Sequence, residues 1–283
     1  MEGLENEGIS IVTIVLNGNL LIEETILSVI KQDNIKIEYI IIDGGSTDGT
    51  LETIEKYINY ITHIVSASDG GIYQAINKGI SLASYPLVGL IHCGDSYVPN
   101  SLFTVYRIFK QTNADVIYGD IQFKEQLNDK YFLKTFVSDH SRLHLGMSIY
   151  HPSTFIKLNV YQEIGGYDFT YRSAADYDFL LKIFLQKRYF VHIPQVLAVF
   201  TYGGLSGSNF KLSLKENYRI RKNQIGLKSA LLYTSRTSLI HVIYSFRRLI
   251  ITSIIGKDNF NKLKSHWRTL NGSSVVTLKK LLY

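Results

Sequence analysis

The sequence contains one cysteine, Cys93, so no internal disulfide can form, and a lone thiol fits a reducing compartment. It also lacks a signal-peptide pattern, because its first residues, MEGLENEG, are acidic and polar. Long apolar runs are absent. The uncharged stretch Gly79 to Gly94 holds 16 residues and includes Pro86, short of the roughly 18 apolar residues of a membrane span. Acids are scarce at one end only. From Lys211 to Tyr283, 15 Lys and Arg stand against 2 acids, Glu216 and Asp258, a balance of +13. Residues 1–210 hold 15 bases and 22 acids, a balance of −7. An acidic body with a basic tail points the tail at an anionic partner, lipid or nucleic acid. No helix-turn-helix, zinc site or aromatic RNA-binding signature is present, so nucleic acid is the poorer partner.

What the chain does have is core material. Its 283 residues are 46% hydrophobic and 19% charged, which excludes disorder, a collagen-like chain and a small disulfide scaffold. Strand and helix signals alternate. Ile9 to Leu16, Glu38 to Ile42, Ile61 to Val65 and Tyr85 to His92 read as strands, the β-branched runs among them as buried ones. Between them, Ile22 to Lys31, Thr50 to Tyr60 and Ile72 to Leu82 read as helices, with Ser46 or Thr47 as the cap of the second. Such alternation predicts an α/β fold with a parallel sheet covered on both faces. Ligands then bind at the carboxyl ends of the strands. Three strand runs lead to Asp43, Asp69 and Asp95, and a fourth, Asp115 to Asp120, ends on Asp120. One aspartate after a strand is an ordinary turn residue. Several at one sheet edge suit a divalent cation and a phosphate-bearing ligand. From Gln122 to Leu145 the pattern loosens, and Tyr189 to Phe200 reads as strands around Pro194. Asp176 and Asp178 open a helix, where the helix dipole favours acids.

Four motifs, in order and at matching spacing, carry a resemblance. They are the first strand ending at Asn17, the run Glu38 to Thr50 with Asp43-Gly44-Gly45-Ser46-Thr47-Asp48-Gly49, the run Ser68 to Gly79, and Gly165-Gly166-Tyr167-Asp168 followed by Ala175-Asp176-Tyr177-Asp178. Over about Ile9 to Ser206 the chain resembles the inverting family 2 glycosyltransferases of bacteria, which have the GT-A fold and build polysaccharides from nucleotide-sugars. The resemblance implies a GT-A body over residues 1–210 and leaves 211–283 as a basic helical extension. Two departures stand out. The first strand ends Val15-Leu16-Asn17, without the aromatic that usually precedes the asparagine, and the metal motif is His92-Cys93-Gly94-Asp95, with one acid in place of two.

The resemblance assigns Asp176 as the catalytic base, with Ala175 in place of the more usual glutamate. It assigns Asp43 to the nucleobase, Asp69 to the nucleoside pocket and Asp95 to Mn2+ or Mg2+. Lys78 is within reach of a phosphate on the same reading. Gly203-Gly204-Leu205-Ser206 resembles a loop that closes over the donor. A carboxylate only accepts hydrogen bonds at neutral pH, so Asp43 favours the imide of uracil and hence a UDP-sugar. One carboxylate is enough for Mn2+ or Mg2+ when diphosphate oxygens and waters complete the shell. His151, beside Pro152, reads as structural, and Cys93 as the filler of a small space.

Ser229 to Ile255 is rich in Leu and Ile, with Arg236, Arg247 and Arg248 interspersed. That composition fits a helix lying on anionic lipid, and equally a packed appendage or a homodimer contact. The expected protein is a cytoplasmic enzyme, peripheral at the inner membrane, that glycosylates a saccharide or polyprenyl-linked saccharide. Two other readings stand beside it. One is a degenerate glycosyltransferase scaffold, supported by the reduced metal motif. The other is a nucleotidyltransferase, which the base-free loop Asn17 to Leu21 disfavours.

Overall fold

The β-branched run at the start of the chain forms β1 (Ile9–Val15), and each of its seven residues is buried. It lies between two parallel neighbours, β2 (Ile37–Asp43) and β4 (Leu87–Leu90), while β2 also pairs in parallel with β3 (His63–Ser66). A strand flanked on both sides and covered on both faces has no polar side to show, which is why its sequence is an apolar run and not an alternation. The computed structural model describes residues 7–68, 70–127, 130–201, 209–255 and 274–276. Asp69 and the Gly203 to Ser206 loop lie outside the described residues.

The chain divides into two units, one of residues 1–121 and 136–200, the other of 122–135 and 201–283. The tail unit thus begins near residue 201 and takes in a piece of the body's sequence. In the first unit, α1 (Ile22–Ile30), α2 (Thr50–Glu55) and α3 (Ile72–Leu82) connect the parallel strands. Helix α1 buries Ile22, Thr25, Ile26 and Val29, the 3–4 spacing of one apolar stripe. After β4 come β5 (Ser96–Tyr97), α4 (Ser101–Thr112) and β6 (Val116–Leu127). The later segments are β8 (Thr154–Lys157), α5 (Leu158–Ile164), α6 (Ala175–Leu185) and β9 (Phe190–Thr201), with β7 (Lys130–Phe136) falling in the second unit. Strand β8 runs antiparallel between β4 and β6, so the first unit's sheet has the order β6-β8-β4-β1-β2-β3. Strand β9 pairs with β5 and β6.

Sequence and structure differ at three places. Asp120 does not end a strand: β6 continues to Leu127, and Asp120 accepts from the Ser138 amide at 3.0 Å and lies 2.9 Å from His192 Nε2. The expectation of a fourth strand-end acid fails because this carboxylate is already held within the fold. The segment 122–136, without a clear period, is the end of β6 and β7. Residues 190–201 form one strand through Pro194, not separate strands.

Two buried features tie the sheet to its cover. Glu38 is 7% exposed, yet its oxygens accept from Ser10, the Ser84 amide (2.7 Å) and the Ser84 hydroxyl (2.8 Å). A buried carboxylate is tolerated when its lone pairs are filled this way. Gly79 on α3 faces β1 and β2 so closely that a Cβ there would lie 2.3 Å from Val12 Cγ1 and 3.3 Å from Ile42 Cγ1.

In the second unit, α7 (Phe210–Gln224) and α8 (Leu227–Ile255) form an antiparallel helix pair turned at Gly226, which has φ +121°. The Phe210 ring stacks on His241 at 3.7 Å, and the Arg221 guanidinium lies 4.5 Å from the Tyr233 ring centre while donating to Ser229 at 3.0 Å. Strand β10 (Ser274–Val276) pairs antiparallel with β7.

Ala usually favours a helix interior over Gly by about 1 kcal/mol. At position 79 the steric term wins. Gly79→Ala should lower stability by about 1–3 kcal/mol, read from urea unfolding, and Val12→Ala in the same chain should recover part of the loss. A stabilised Gly79→Ala protein would contradict the close approach of α3 to β1.

Candidate active site

The strand register fixes where the polar residues gather. Val15 pairs with Asp43, and Asp43 with Ser66, so β1, β2 and β3 finish at one level. The loops beyond are stitched together. The Asn17 amide donates to Ser46 Oγ at 2.7 Å, Asn17 Oδ1 accepts from the Thr47 amide at 2.9 Å, and the Gly18 amide donates to Thr50 Oγ1 at 2.9 Å. Asn17 sits at φ 50°, a left-handed conformation that asparagine tolerates better than most residues.

Asp43 is fully buried and holds the β2 turn from inside. Its Oδ2 accepts from the Gly45 amide (3.1 Å), the Ser46 amide (3.0 Å) and the Ser66 hydroxyl (2.7 Å), and its Oδ1 accepts from the Ser46 hydroxyl. Burial acts to raise its pKa, but the donations from Ser46, Ser66 and Gly45 outweigh it and hold the carboxyl below its usual range. Neither Ser46 nor Thr47 caps α2: the cap position is Gly49, without a side chain, and Asp48 just before it accepts from the Thr50 amide at 3.2 Å and from the Thr50 hydroxyl. Ser46 is unavailable as a cap because it is already bonded to Asp43 and Asn17.

After β4 the chain turns through His92-Cys93-Gly94-Asp95, with the Asp95 amide donating to the His92 carbonyl at 2.9 Å and Gly94 at φ 96°. Thr25 of α1 grips this turn: its hydroxyl accepts from the Gly94 amide at 2.9 Å and donates to the Asp95 carbonyl at 2.7 Å. Burial, then the charges of Asp95 and Asp48, push the Cys93 thiol up to about 12. Cys93 therefore stays a thiol, as its expected space-filling role requires, and it feels both the β2 and the β4 turns.

Because β8 is antiparallel to β4, its amino-terminal end arrives at the carboxyl end of β4. There a one-turn 3-10 helix, His151–Ser153, places His151 against the His92 to Asp95 turn. The His92 and His151 ring centres are 4.4 Å apart, and His151 Nε2 lies 3.8 Å from Asp95 Oδ2, too far for a hydrogen bond. His92 Nδ1 and His151 Nε2 are buried and make no hydrogen bond. Burial depresses both imidazoles: His92 to about 4, and His151 well below its ordinary value, with His92 as the second cause.

Asp176 lies in the first turn of α6 and accepts from the Tyr177 amide at 2.8 Å and from Tyr73 Oη at 3.4 Å. Tyr73 comes from the first turn of α3 and stacks with Tyr167 of the Gly165 to Asp168 turn, ring centres 5.9 Å apart. Asn77, one turn further along α3, clamps that turn: its Nδ2 donates to the Tyr167 carbonyl at 2.8 Å and its Oδ1 accepts from the Tyr167 amide at 2.9 Å. So α3 supplies an aromatic beside Asp176 although β1 does not. Asp178 points elsewhere, buried and 2.6 Å from Lys182 Nζ. Lys78 is exposed on α3.

Among the described residues no three His, Cys, Asp or Glu side chains converge on one point. Asp95 with the orphaned Nε2 of His151 is nevertheless a donor pair that fits Mg2+ or Mn2+, ions that keep waters and bind substrate oxygens.

A profile of the family described as "Glycosyl transferase family 2" matches residues 10–178, from the second residue of β1 into α6. The chain belongs to this family. This glycosyltransferase is similar to a PGL/p-HBAD biosynthesis glycosyltransferase of Mycobacterium tuberculosis, with 29% identity over 208 residues that make up 70% of this chain and 79% of the relative. It is also similar to the glycosyltransferase GlyG of Streptococcus pneumoniae, 29% identical over 134 residues, 46% of this chain and 44% of that one. Among solved structures, S. aureus TarS 1-349 in complex with UDP-GlcNAc aligns at TM-score 0.62 and 20% identity, covering 76% of this chain and 65% of that one. The mannosyltransferase PcManGT from Pyrobaculum calidifontis, in complex with GDP-Man and Mn2+, aligns at TM-score 0.57 and 12% identity over 95% of this chain and 89% of that one. These likenesses establish the GT-A fold for the glycosyltransferase.

Folded His92 resists protonation until about pH 4, against 6.5 for a free imidazole. Between those values the unfolded chain binds the extra proton, so stability rises with pH there. Metal-free glycosyltransferase should lose stability as pH falls from about 6.5 toward 4, read as urea midpoints. His92→Gln should flatten that slope. An identical slope in the variant would show that His92 does not remain neutral in the fold.

Proposed function

We propose that this glycosyltransferase moves a sugar, with inversion, from a UDP-sugar to a hydroxyl of a lipid-linked saccharide at the cytoplasmic face of the inner membrane. The observation that carries the reading is Asp176, which opens α6 beside Tyr73 on the helix that follows the third sequence motif. Single displacement needs one base, and an ionised carboxylate at the mouth of the site serves. Asp176 takes the proton from the acceptor hydroxyl as that oxygen attacks the anomeric carbon. The bond from that carbon to the UDP oxygen breaks on the opposite face, and UDP leaves. Asp95 is the residue that would hold Mn2+ or Mg2+, and the ion would supply positive charge against the departing diphosphate. Tyr73, donating to Asp176, keeps the carboxylate turned toward the acceptor.

Asp43 is assigned to the nucleobase. It reads an imide N–H through Oδ1 once Ser46 gives up its bond to that oxygen; Asp69 and Lys78 are assigned to the nucleoside and a phosphate. In support of a UDP-sugar, TarS 1-349 is a complex with UDP-GlcNAc, whereas PcManGT is a complex with GDP-Man and Mn2+. Support for the membrane comes from α8. Leu232, Leu239, Val242, Phe246, Leu249 and Ile254 are all exposed on a helix that also carries Arg236 and Arg247, and no described helix is long and apolar enough to cross a membrane. Apolar side chains among bases suit a helix lying in the headgroup layer.

Calorimetry should show UDP binding more tightly than GDP or CMP, with Mn2+ strengthening it in the wild type and not in Asp95→Ala. Tighter binding of GDP would end the assignment of Asp43 to uracil. Asp176→Asn should slow transfer by about 10²–10⁴-fold with UDP affinity nearly unchanged. An active Asn variant would remove Asp176 from the role of base.

Full-length protein should bind vesicles containing anionic lipid and release them as salt rises, because exposed charges are screened beyond about 8 Å at physiological ionic strength. Reversing Arg236 and Arg247 to Glu should weaken that binding, since each base near the surface is worth about 1 kcal/mol. Indifference to anionic vesicles at low salt would leave α8 better explained as a dimer contact.

A further inference from the structure

His151 was expected to be structural, a lone histidine beside a proline. Its surroundings do not fit that role. A structural histidine next to an acid donates its N–H to the carboxylate at about 2.7–3.2 Å. Here Nε2 and Asp95 Oδ2 stand 3.8 Å apart, and Nε2 is buried without any hydrogen bond. An orphaned ring nitrogen inside a protein is costly, and each one calls for an explanation. Two features of the fold hold it there. The antiparallel course of β8 delivers residue 151 to the carboxyl end of β4, and the His92 ring packs against the His151 ring at 4.4 Å.

We infer that His151, through Nε2, is a second protein ligand for the divalent cation that Asp95 holds at the donor diphosphate. This inference rests on the assignment of Asp95 above. Two neighbouring donors of an octahedral ion, each about 2.1 Å from it, lie about 3 Å apart. His151 Nε2 and Asp95 Oδ2 are 3.8 Å apart, so the two side chains close by less than about 1 Å to hold one cation between them. The imidazole also answers a deficit in the sequence. The turn His92-Cys93-Gly94-Asp95 carries one acid, and a neutral nitrogen from a segment more than fifty residues later supplies a second donor. The site then has one negative charge from the protein instead of two, and the diphosphate oxygens and waters fill the remaining positions. His92 is a positioning residue: it fixes the plane of the His151 ring and is not itself a ligand.

The test uses untagged full-length protein grown with 15N-labelled histidine, loaded with Mn2+ and UDP, and examined by electron spin-echo spectroscopy. The expected result is a 15N coupling to Mn2+ in the wild type that vanishes in His151→Gln and persists in His92→Gln. Calorimetry on the same proteins should show Mn2+ binding in the presence of UDP weakened at least about 10-fold by His151→Gln, with metal-free UDP binding unchanged. Mn2+ bound without any histidine coupling in the wild type overturns the inference and leaves Asp95 as the ligand. The same holds if the coupling survives in His151→Gln. No Mn2+ binding by the wild type at all overturns both the inference and the metal assignment of Asp95. The wild-type spectrum decides the matter even if a variant fails to fold.

Discussion

The parallel register of β1 with β2 and β4 is the constraint on which the site depends. It sets the ends of β1 and β2 at one level, with Asp43 and Asp95 within a few positions of the strand ends, while Asp176 is brought beside Tyr73 by α6. The register is strongly held because these strands are apolar on both faces: a slip would take buried isoleucines out of their packing along the whole of β1. Gly79 strengthens the effect, since α3 can lie flush on β1 only where a side chain is missing. The helix that carries Tyr73 and Asn77 is therefore set by the same contact that orders the sheet.

Most of this edge was legible in the sequence. The runs Ile9 to Leu16 and Glu38 to Ile42 are so dense in β-branched residues that only a buried strand accommodates them, and the aspartates that follow announce their turns. What could not be read were partners distant along the chain. Nothing near Ser46 tells that Asn17 and Asp43 have already engaged it, so that the helix starts after Gly49 without a side-chain cap. Asp120 looks like Asp43 in sequence; only the pairing of β6 and the position of His192 distinguish them. Tyr73 and Asn77 sat inside a quoted motif, but without tertiary contacts neither could be connected to Asp176 or Tyr167. His151 was the hardest. A histidine beside a proline carries no signal of its own, and its significance depends wholly on the direction of β8.

The helical tail is a different case. Its charge balance was plain from composition, and so was its wealth of Leu and Ile. Which of those apolar residues remain uncovered is a property of packing: α7 covers α8 through Phe210, Arg221 and their partners and leaves much of its apolar surface exposed. Arg221 is buried in this unit, where it donates to Ser229 and lies over the Tyr233 ring.

The grip of Thr25 on the β4 turn has a thermodynamic consequence. One hydroxyl accepts from the Gly94 amide and donates to the Asp95 carbonyl, so the turn is tied on both sides of its bend to a helix whose other buried residues belong to the core. Such a loop has little freedom left to lose. Ordering it is part of folding and not of binding, so a cation held at Asp95 as proposed would not spend its electrostatic gain on immobilising the backbone that presents it.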